Sequence, residues 1–306
     1  MPQKPGWFAS TQSYNYVMIV IVGPTAAGKS AKAMALAPQI DGEIVSADSR
    51  HVYRGMDIGT NKPSVADRAT VVHHLIDLRD ADQTYSLADY VRDARQAIAD
   101  IRARGRTPLV VGGTGQYVRA LTEGWQVPEV PPNEALRARW LAFERDRGVD
   151  ALFAELLARD PAAGAAIDKR NVRRVVRALE VIEHTGQRWS DLQRRTPPSE
   201  PIEWHYVNKP RDVLYRDIDA RLDLMLQQGW LTETRALLEL LAARSIDTDA
   251  ALRLPAMSAL GYRELAEVAL GRRTLDDAIE AIKRETRRFV RMQDAWFRKD
   301  AGGLSV

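Results

Sequence analysis

The chain of 306 residues contains no cysteine, which excludes disulfides, thiolate nucleophiles and cysteine zinc sites. Histidine is scarce, five in all, and the adjacent His73 and His74 give no metal-ligand spacing. Long hydrophobic runs are missing too. The longest, residues 17–22 (VMIVIV), falls far short of the roughly 20 apolar residues that a membrane-spanning helix needs. The opening stretch MPQKPGWFASTQSYNY lacks the charged start, apolar centre and small-residue cleavage site of a secretory signal. A cytoplasmic location without membrane association is expected. The same stretch has no periodicity, so residues 1 to about 15 are expected to be disordered and dispensable.

Charge of either sign is not in excess: 44 Lys and Arg face 41 Asp and Glu, a formal net charge of +3. The bases are mostly arginine, whose planar fork suits phosphate oxygens better than the point charge of lysine. A GC-rich genome would produce the same bias, so the positions of the arginines carry more weight than their number. Internal repeats and low-complexity tracts are absent.

Strand and helix signals alternate over the first 124 residues. Residues 16–22 (YVMIVIV), 43–47 (EIVSA) and 107–111 (TPLVV) read as buried parallel strands, and 72–77 (VHHLID) as a further one. Between them, 31–37 and 86–104 have helical composition or period, and another helix runs from the GGTG turn to Leu121. This alternation predicts an α/β fold with a parallel sheet flanked by helices, and the G-x-x-x-x-G-K-S stretch at 23–30 makes that sheet P-loop NTPase-like. VPEVPPN at 127–133 and RRTPPSEP at 194–201 are proline-rich boundaries. Between them the chain reads as almost wholly helical, a mostly helical insertion domain at 125–193. A returning strand at 204–208 (WHYVN) and helices from Asp212 onward complete the core, 1–124 with 194–306.

Gly23, Pro24, Thr25, Ala26, Ala27, Gly28, Lys29 and Ser30 spell G-x-x-x-x-G-K-S between a predicted strand and helix. Such a loop wraps backbone N–H groups around phosphate oxygens, and the helix that follows adds its positive end. Lys29 neutralises the terminal phosphates, and the Ser30 hydroxyl is placed to ligate magnesium (Mg2+). P-loop NTPases hold the metal with a second acid at a strand end, yet LVVGGTG ends in glycines and a threonine. Asp48 does sit at a strand end. A carboxylate there can hold metal, act as a base or cap the next turn, and the spacing leaves all three open.

GPTAAGKS, DSRHVYRGMDIGTNKP, HHLIDLRD and VVGGTGQYVRALTEG together resemble the bacterial tRNA dimethylallyltransferase (tRNA isopentenyltransferase) family. RALEVIEHTG, IDARLDLML, LGYRE and TRRFVRMQDAWFR continue the similarity in order over about 280 residues. The resemblance implies an enzyme that transfers a dimethylallyl group from dimethylallyl diphosphate to N6 of the adenine 3′-adjacent to certain tRNA anticodons, using Mg2+. It implies that Asp48 takes the N6 proton, that Arg221 contacts the diphosphate, and that Thr114 lines the channel for the base. It further implies tRNA contacts from Ser49, Arg50 and His51 and from Gly261, Tyr262 and Arg263. His51 stands where many relatives have glutamine. Arg288, Met292 and Ala295 replace polar residues of the family's usual C-terminal pattern. Without the resemblance, Arg221 would read as a surface residue pairing with Asp217 or Asp219.

Two helices carry arginine on one face independently of that likeness. Arg170, Arg173, Arg174 and Arg177 recur at i, i+3, i+4 and i+7, with Val172, Val175, Val176 and Leu179 opposite. Near the C-terminus Arg284, Arg287, Arg288, Arg291 and Arg298 share a stripe, with Ile282, Phe289 and Trp296 on the other face. Each helix is expected to bury its apolar side and turn arginine outward, where it meets water or a phosphate backbone. With a phosphate loop in the same chain, the insertion is expected to clamp tRNA. A small-molecule P-loop kinase or a nucleic-acid-binding ATPase shares the loop, but neither accounts for a missing second acid. A prenyltransferase of free adenine nucleotides gives no role to the insertion. No stable protein partner is implied.

Overall fold

The structure, a computed structural model, describes residues 17–300, with side chains as far as residue 297. The expectation for residues 1 to about 15 and the Arg298 side chain lie outside the described residues. Among those described, no helix is long and apolar enough to cross a membrane.

The chain divides into two compact units. One takes the chain up to Leu121 and again from Ser199, and the other is Thr122–Pro198, against the 125–193 read from the proline-rich boundaries. In the first unit β1 (Met18–Val22), α1 (Lys29–Leu36), β2 (Gly42–Ser46), α2 (Val65–Thr70), β3 (His73–His74), α3 (Leu87–Ala103), β4 (Thr107–Gly112) and α4 (Gly115–Thr122) alternate. The sheet is wholly parallel, with strand order β3-β2-β4-β1 and then a fifth strand, β5 (Ile202–Tyr206), beyond β1. Every residue of β1 and β4 is buried, as the continuous apolar runs of a sheet covered on both faces require. Serine caps fix two helix starts. The Ser64 and Ser86 hydroxyls accept from the backbones of Asp67 and Asp89, whose carboxylates accept in return from the serine N–H groups, a reciprocal capping box.

The strand expected at 72–77 is only two residues long. Leu75 and Asp77 take left-handed backbone, φ 63° and 57°, which no strand tolerates. Asp77 instead spends its carboxylate on Lys62 and Arg68, at 2.7 Å each.

In the second unit α5 (Glu134–Arg159) is interrupted at Gly148, and α6 (Val172–Thr185) packs with it. The stretch between them is a short 3-10 turn and a loop rather than helix. Trp140, Leu152, Leu156, Val175, Val176 and Leu179 form this unit's own core. Glu180 is 1% exposed within it. Its carboxylate takes hydrogen bonds from Asn133 N–H and from Arg137 and Arg177.

After β5 the chain is helical: α7 (Arg211–Gln227), α8 (Trp230–Ala243), α9 (Thr248–Arg253), α10 (Tyr262–Ala269) and α11 (Leu275–Asp300). Their core gathers around Trp230 and Tyr262, whose rings meet edge to face at 5.7 Å, and takes in Val52, Tyr53 and Met56 from the segment after β2. Trp230→Ala is expected to cost about 3–5 kcal/mol of stability, measured by urea unfolding; a loss below 1 kcal/mol would mean this helical layer does not depend on the ring.

Candidate active site

The site lies where the sheet changes direction. From β1 the chain crosses to β2 on one side of β4, and from β4 it eventually returns to β5 on the other side of β1. Loops leaving the carboxyl ends of β1 and β4 therefore diverge and open a crevice. Val22 pairs with Gly112, so the phosphate loop and the GGTG turn start side by side.

A cavity of about 660 Å3 opens there. Thr25, Ala26 and Gly28 to Ser30 of the phosphate loop, Ala31 just after it, Asp48 to His51 and Thr114 line one part of it. Ile218, Leu222, Met225, Trp230, Phe289 and Met292 give it an apolar wall. Gly28 adopts φ 102° at the N-cap of α1, a conformation that disfavours side chains. Ser30 is exposed in the first turn of that helix.

Lys29 donates to the Pro24 carbonyl at 2.8 Å. Burial pushes its ammonium down to about 8, opposed by the Asp48 carboxylate and reinforced by the Arg221 guanidinium. Arg221, on α7, has no hydrogen-bond or ion-pair partner among the described residues. Burial lowers its pKa from the usual arginine value, with Asp217 opposing. Asp217 is held by Lys209 and Asp219 by Arg287, each at 2.6 Å. The reading of Arg221 as a surface ion-pair residue therefore fails: both acids are taken, and the guanidinium faces the cavity.

Asp48 gives one oxygen to the backbone, accepting from Arg50 N–H at 2.8 Å. Its other oxygen lies 4.0 Å from His51 Nε2. One oxygen caps the turn, and the second remains for chemistry. Thr114 Oγ1 accepts from Ser49 N–H at 3.1 Å, tying the GGTG turn to the Asp48 segment. His51 spans Ser46 Oγ (3.1 Å) and the Thr60 carbonyl (3.2 Å), so both ring nitrogens are engaged within the protein. Arg50 reaches the Pro255 carbonyl at 2.7 Å.

Several residues expected to face RNA do not. Tyr262 is fully buried, and its hydroxyl donates to Glu233; Gly261 beside it is buried too, leaving only Arg263 exposed. Arg170 precedes α6, whose cap is Asn171, and pairs with Asp168 at 2.6 Å. Arg177 is half-buried on Glu180 and the Val130 carbonyl. It neutralises a buried carboxylate, so it belongs to the insertion's core. Arg173 and Arg174 stay exposed. On α11, Arg287 stacks on Tyr215 and Arg291 reaches its hydroxyl, while Arg288 is exposed beside Glu285. The buried face of α11 carries Ala278, Ile282, Val290 and Phe297. Phe289 and Trp296, expected on that face, line the cavity instead.

Comparison with known proteins agrees with this architecture. Residues 51–300 match the family model described as IPP transferase. The chain belongs to the IPP transferase family. It is 47% identical over 282 residues to a tRNA dimethylallyltransferase of Thermomicrobium roseum, covering 92% of this chain and 83% of that one. A tRNA dimethylallyltransferase of a Roseiflexus species is 50% identical over 282 residues, covering 92% and 90%. Among solved structures, a tRNA isopentenylpyrophosphate transferase from Bacillus halodurans shares 38% identity with a TM-score of 0.63, covering 92% of this chain and 87% of that one. A eukaryotic dimethylallyltransferase acting on tRNA shares 27% identity with a TM-score of 0.77, covering 94% and 72%. The phosphate loop precedes the stretch matched by the IPP transferase model, so its geometry supplements that match.

Two residues that support the site were not singled out from sequence. Gln293, 5% exposed on α11, accepts from Thr25 N–H at 2.9 Å and donates to the Gly113 carbonyl at 2.9 Å. It joins the two loops across the crevice. Glu233 accepts from the N–H groups of Asp57, Ile58 and Gly59 and from Tyr262, fixing the segment that carries Thr60. A polar residue on the apolar side of a helix is the only sequence signal for Gln293, and α8 gives none for Glu233.

Gln293→Ala leaves two backbone groups without partners and is expected to cost about 1–3 kcal/mol for each buried one. Thermal unfolding together with anion binding at the loop tests this, and wild-type values for both would remove Gln293 from the support. A diphosphate bound at Lys29 stabilises the ammonium and raises its pKa above 8. Binding is therefore expected to take up a proton near and above pH 8 and to weaken as pH rises further. Calorimetry of diphosphate binding in buffers of different ionisation enthalpy reads the proton count, and Lys29→Met should abolish it.

Proposed function

We propose that this chain transfers a dimethylallyl group from dimethylallyl diphosphate to N6 of the adenine 3′-adjacent to the anticodon of tRNA. The observation that carries this is that Lys29 and Arg221, two partly buried cations with no ion pair among the described residues, line one cavity of the sheet crevice together with the Asp48 carboxylate. The names of the relatives support the same reaction.

The chemistry follows from the charges. The C–O bond to the diphosphate breaks, an N–C bond forms, and the N6 proton passes to Asp48. Negative charge grows on the leaving diphosphate, and donors already aimed at it lower the barrier without reorganising. Phosphate-loop N–H groups, Lys29 and Arg221 supply that positive field. Adenine N6 is a poor nucleophile because its lone pair is delocalised, so removing its proton as the bond forms is useful. The second Asp48 oxygen is available to accept it. Ser30 suits Mg2+ because the ion is usually held by one or two protein groups plus phosphate oxygens; when bound it would neutralise charge on the diphosphate. The apolar wall suits the five-carbon tail. No acid stands at the end of β4, where the chain runs Gly112, Gly113, Thr114, and this argues against nucleotide hydrolysis.

Incubation with labelled dimethylallyl diphosphate and unmodified tRNA is expected to place label in the RNA without consuming ATP. Steady phosphate release from ATP with no label transfer would overturn the reading. Asp48→Asn is expected to slow transfer by roughly 10² or more with tRNA affinity within a few-fold, since general bases contribute about 10² to 10⁴. Wild-type turnover would return Asp48 to its capping role.

Arg173 and Arg174 are exposed on α6 with no ion pair among the described residues, which suits them to tRNA phosphates, whereas Arg177 is held by the buried Glu180. Arg173→Ala with Arg174→Ala is expected to weaken binding broadly and to flatten its salt dependence by about 0.7 to 0.9 slope units per contact. An unchanged slope in tRNA titrations against salt would make this face a solvated one.

A further inference from the structure

Trp296 stands apart from the other well-packed tryptophans. Trp140, Trp189 and Trp230 are 5%, 9% and 2% exposed, whereas Trp296 is 40% exposed and lines the cavity mouth. An exposed apolar patch, here Trp296 with Met292, is the informative exception in a folded protein. Its ring is nevertheless held from two directions. The Arg119 guanidinium of α4 lies 5.0 Å from the ring centre, and the indole Nε1 edge packs on Gly115. A Cβ built on Gly115 would come within 2.3 Å of Nε1, so only glycine lets the ring come this near the turn that carries Thr114. One turn back on α11, Met292 is 55% exposed and lines the same cavity.

We propose that Trp296, backed by Arg119 and seated on Gly115, is the stacking platform for the acceptor purine as it enters the cavity. The inference rests on the reading of an RNA acceptor given above, and adds a binding residue for it. Bases that leave their helix are held by stacking on aromatic rings, and a ring already fixed in place loses little entropy on doing so. The seat on Gly115 puts the indole next to Thr114, whose hydroxyl is bonded to the Asp48 segment. A purine stacked there lies within reach of the carboxylate while the diphosphate occupies the loop after β1.

The test compares wild type, Trp296→Phe and Trp296→Ala with an anticodon stem-loop RNA carrying 2-aminopurine at the acceptor position. Indole stacking darkens the analogue, so the bound RNA is expected to be brighter with Trp296→Ala than with wild type, at saturating protein. With unmodified stem-loop, Trp296→Ala is expected to raise the KM for RNA by about 5- to 150-fold, the range found when a stacking aromatic is removed. Trp296→Phe should recover most of that loss. Binding of dimethylallyl diphosphate should match wild type in both variants. Equal brightness of bound RNA in wild type and Trp296→Ala overturns the proposal. So does a parallel loss of diphosphate binding, which marks a ring that only holds α11 against α4. If wild type transfers no label, the reaction assigned above fails, and the fluorescence comparison still decides the stacking.

Discussion

Parallel pairing of β1 with β4 is the constraint on which the site depends. It sets Val22 against Gly112, so two glycine-rich turns leave the sheet at one level and diverge. Neither turn has a regular ladder to hold it once the strands end. Gln293 substitutes for one, with its amide oxygen on Thr25 and its amide nitrogen on Gly113. A helix near the C-terminus thereby fixes a loop near the N-terminus, which explains why the active crevice needs almost the full length of the chain.

Electrostatic selection follows from which charges are paired. Asp217 and Asp219 stand near Arg221 in sequence, yet Lys209 and Arg287 engage them. Lys29 has only a carbonyl. Two partly buried cations without ion-pair partners carry a desolvation cost in the free protein, and an anion that supplies both negative charge and several acceptors offsets it. The depression of the Lys29 pKa expresses the same imbalance.

Buried charge elsewhere has a different use. Lys62 bonds to Asp57, Asp77 and the Tyr53 carbonyl, and Glu233 gathers three backbone amides with Tyr262. Together they set the segment after β2 that presents Thr60 to His51. In the insertion, Glu180 orders Arg137, Arg177 and the start of α5. These satisfied networks specify shape, whereas the unsatisfied pair at the crevice specifies a ligand.

The phosphate loop, the parallel strands and the family likeness were legible in the chain because each rests on local pattern: glycine at fixed offsets, buried β-branched runs, ordered blocks of motif. Asp48 was legible as a strand-end residue of a parallel sheet, whose carboxyl edge is where ligands sit, and Thr114 was singled out only through the family resemblance. Partnership was not legible. Helical spacing placed Arg177 with Arg173 and Arg174, but the buried Glu180 one turn further along the same helix claims it; it placed Trp296 on the core face, but α11 has a third face that lines the cavity. Tyr262 and Gly261 sit in the LGYRE block on which the family resemblance rests, yet they pack inside the helical layer. Periodicity reports which residues share a side of one helix, and only the packing of the helices decides what that side meets. Sequence alone therefore determined the sheet, its phosphate loop and the reaction class, while tertiary structure decided which charges remain free to act.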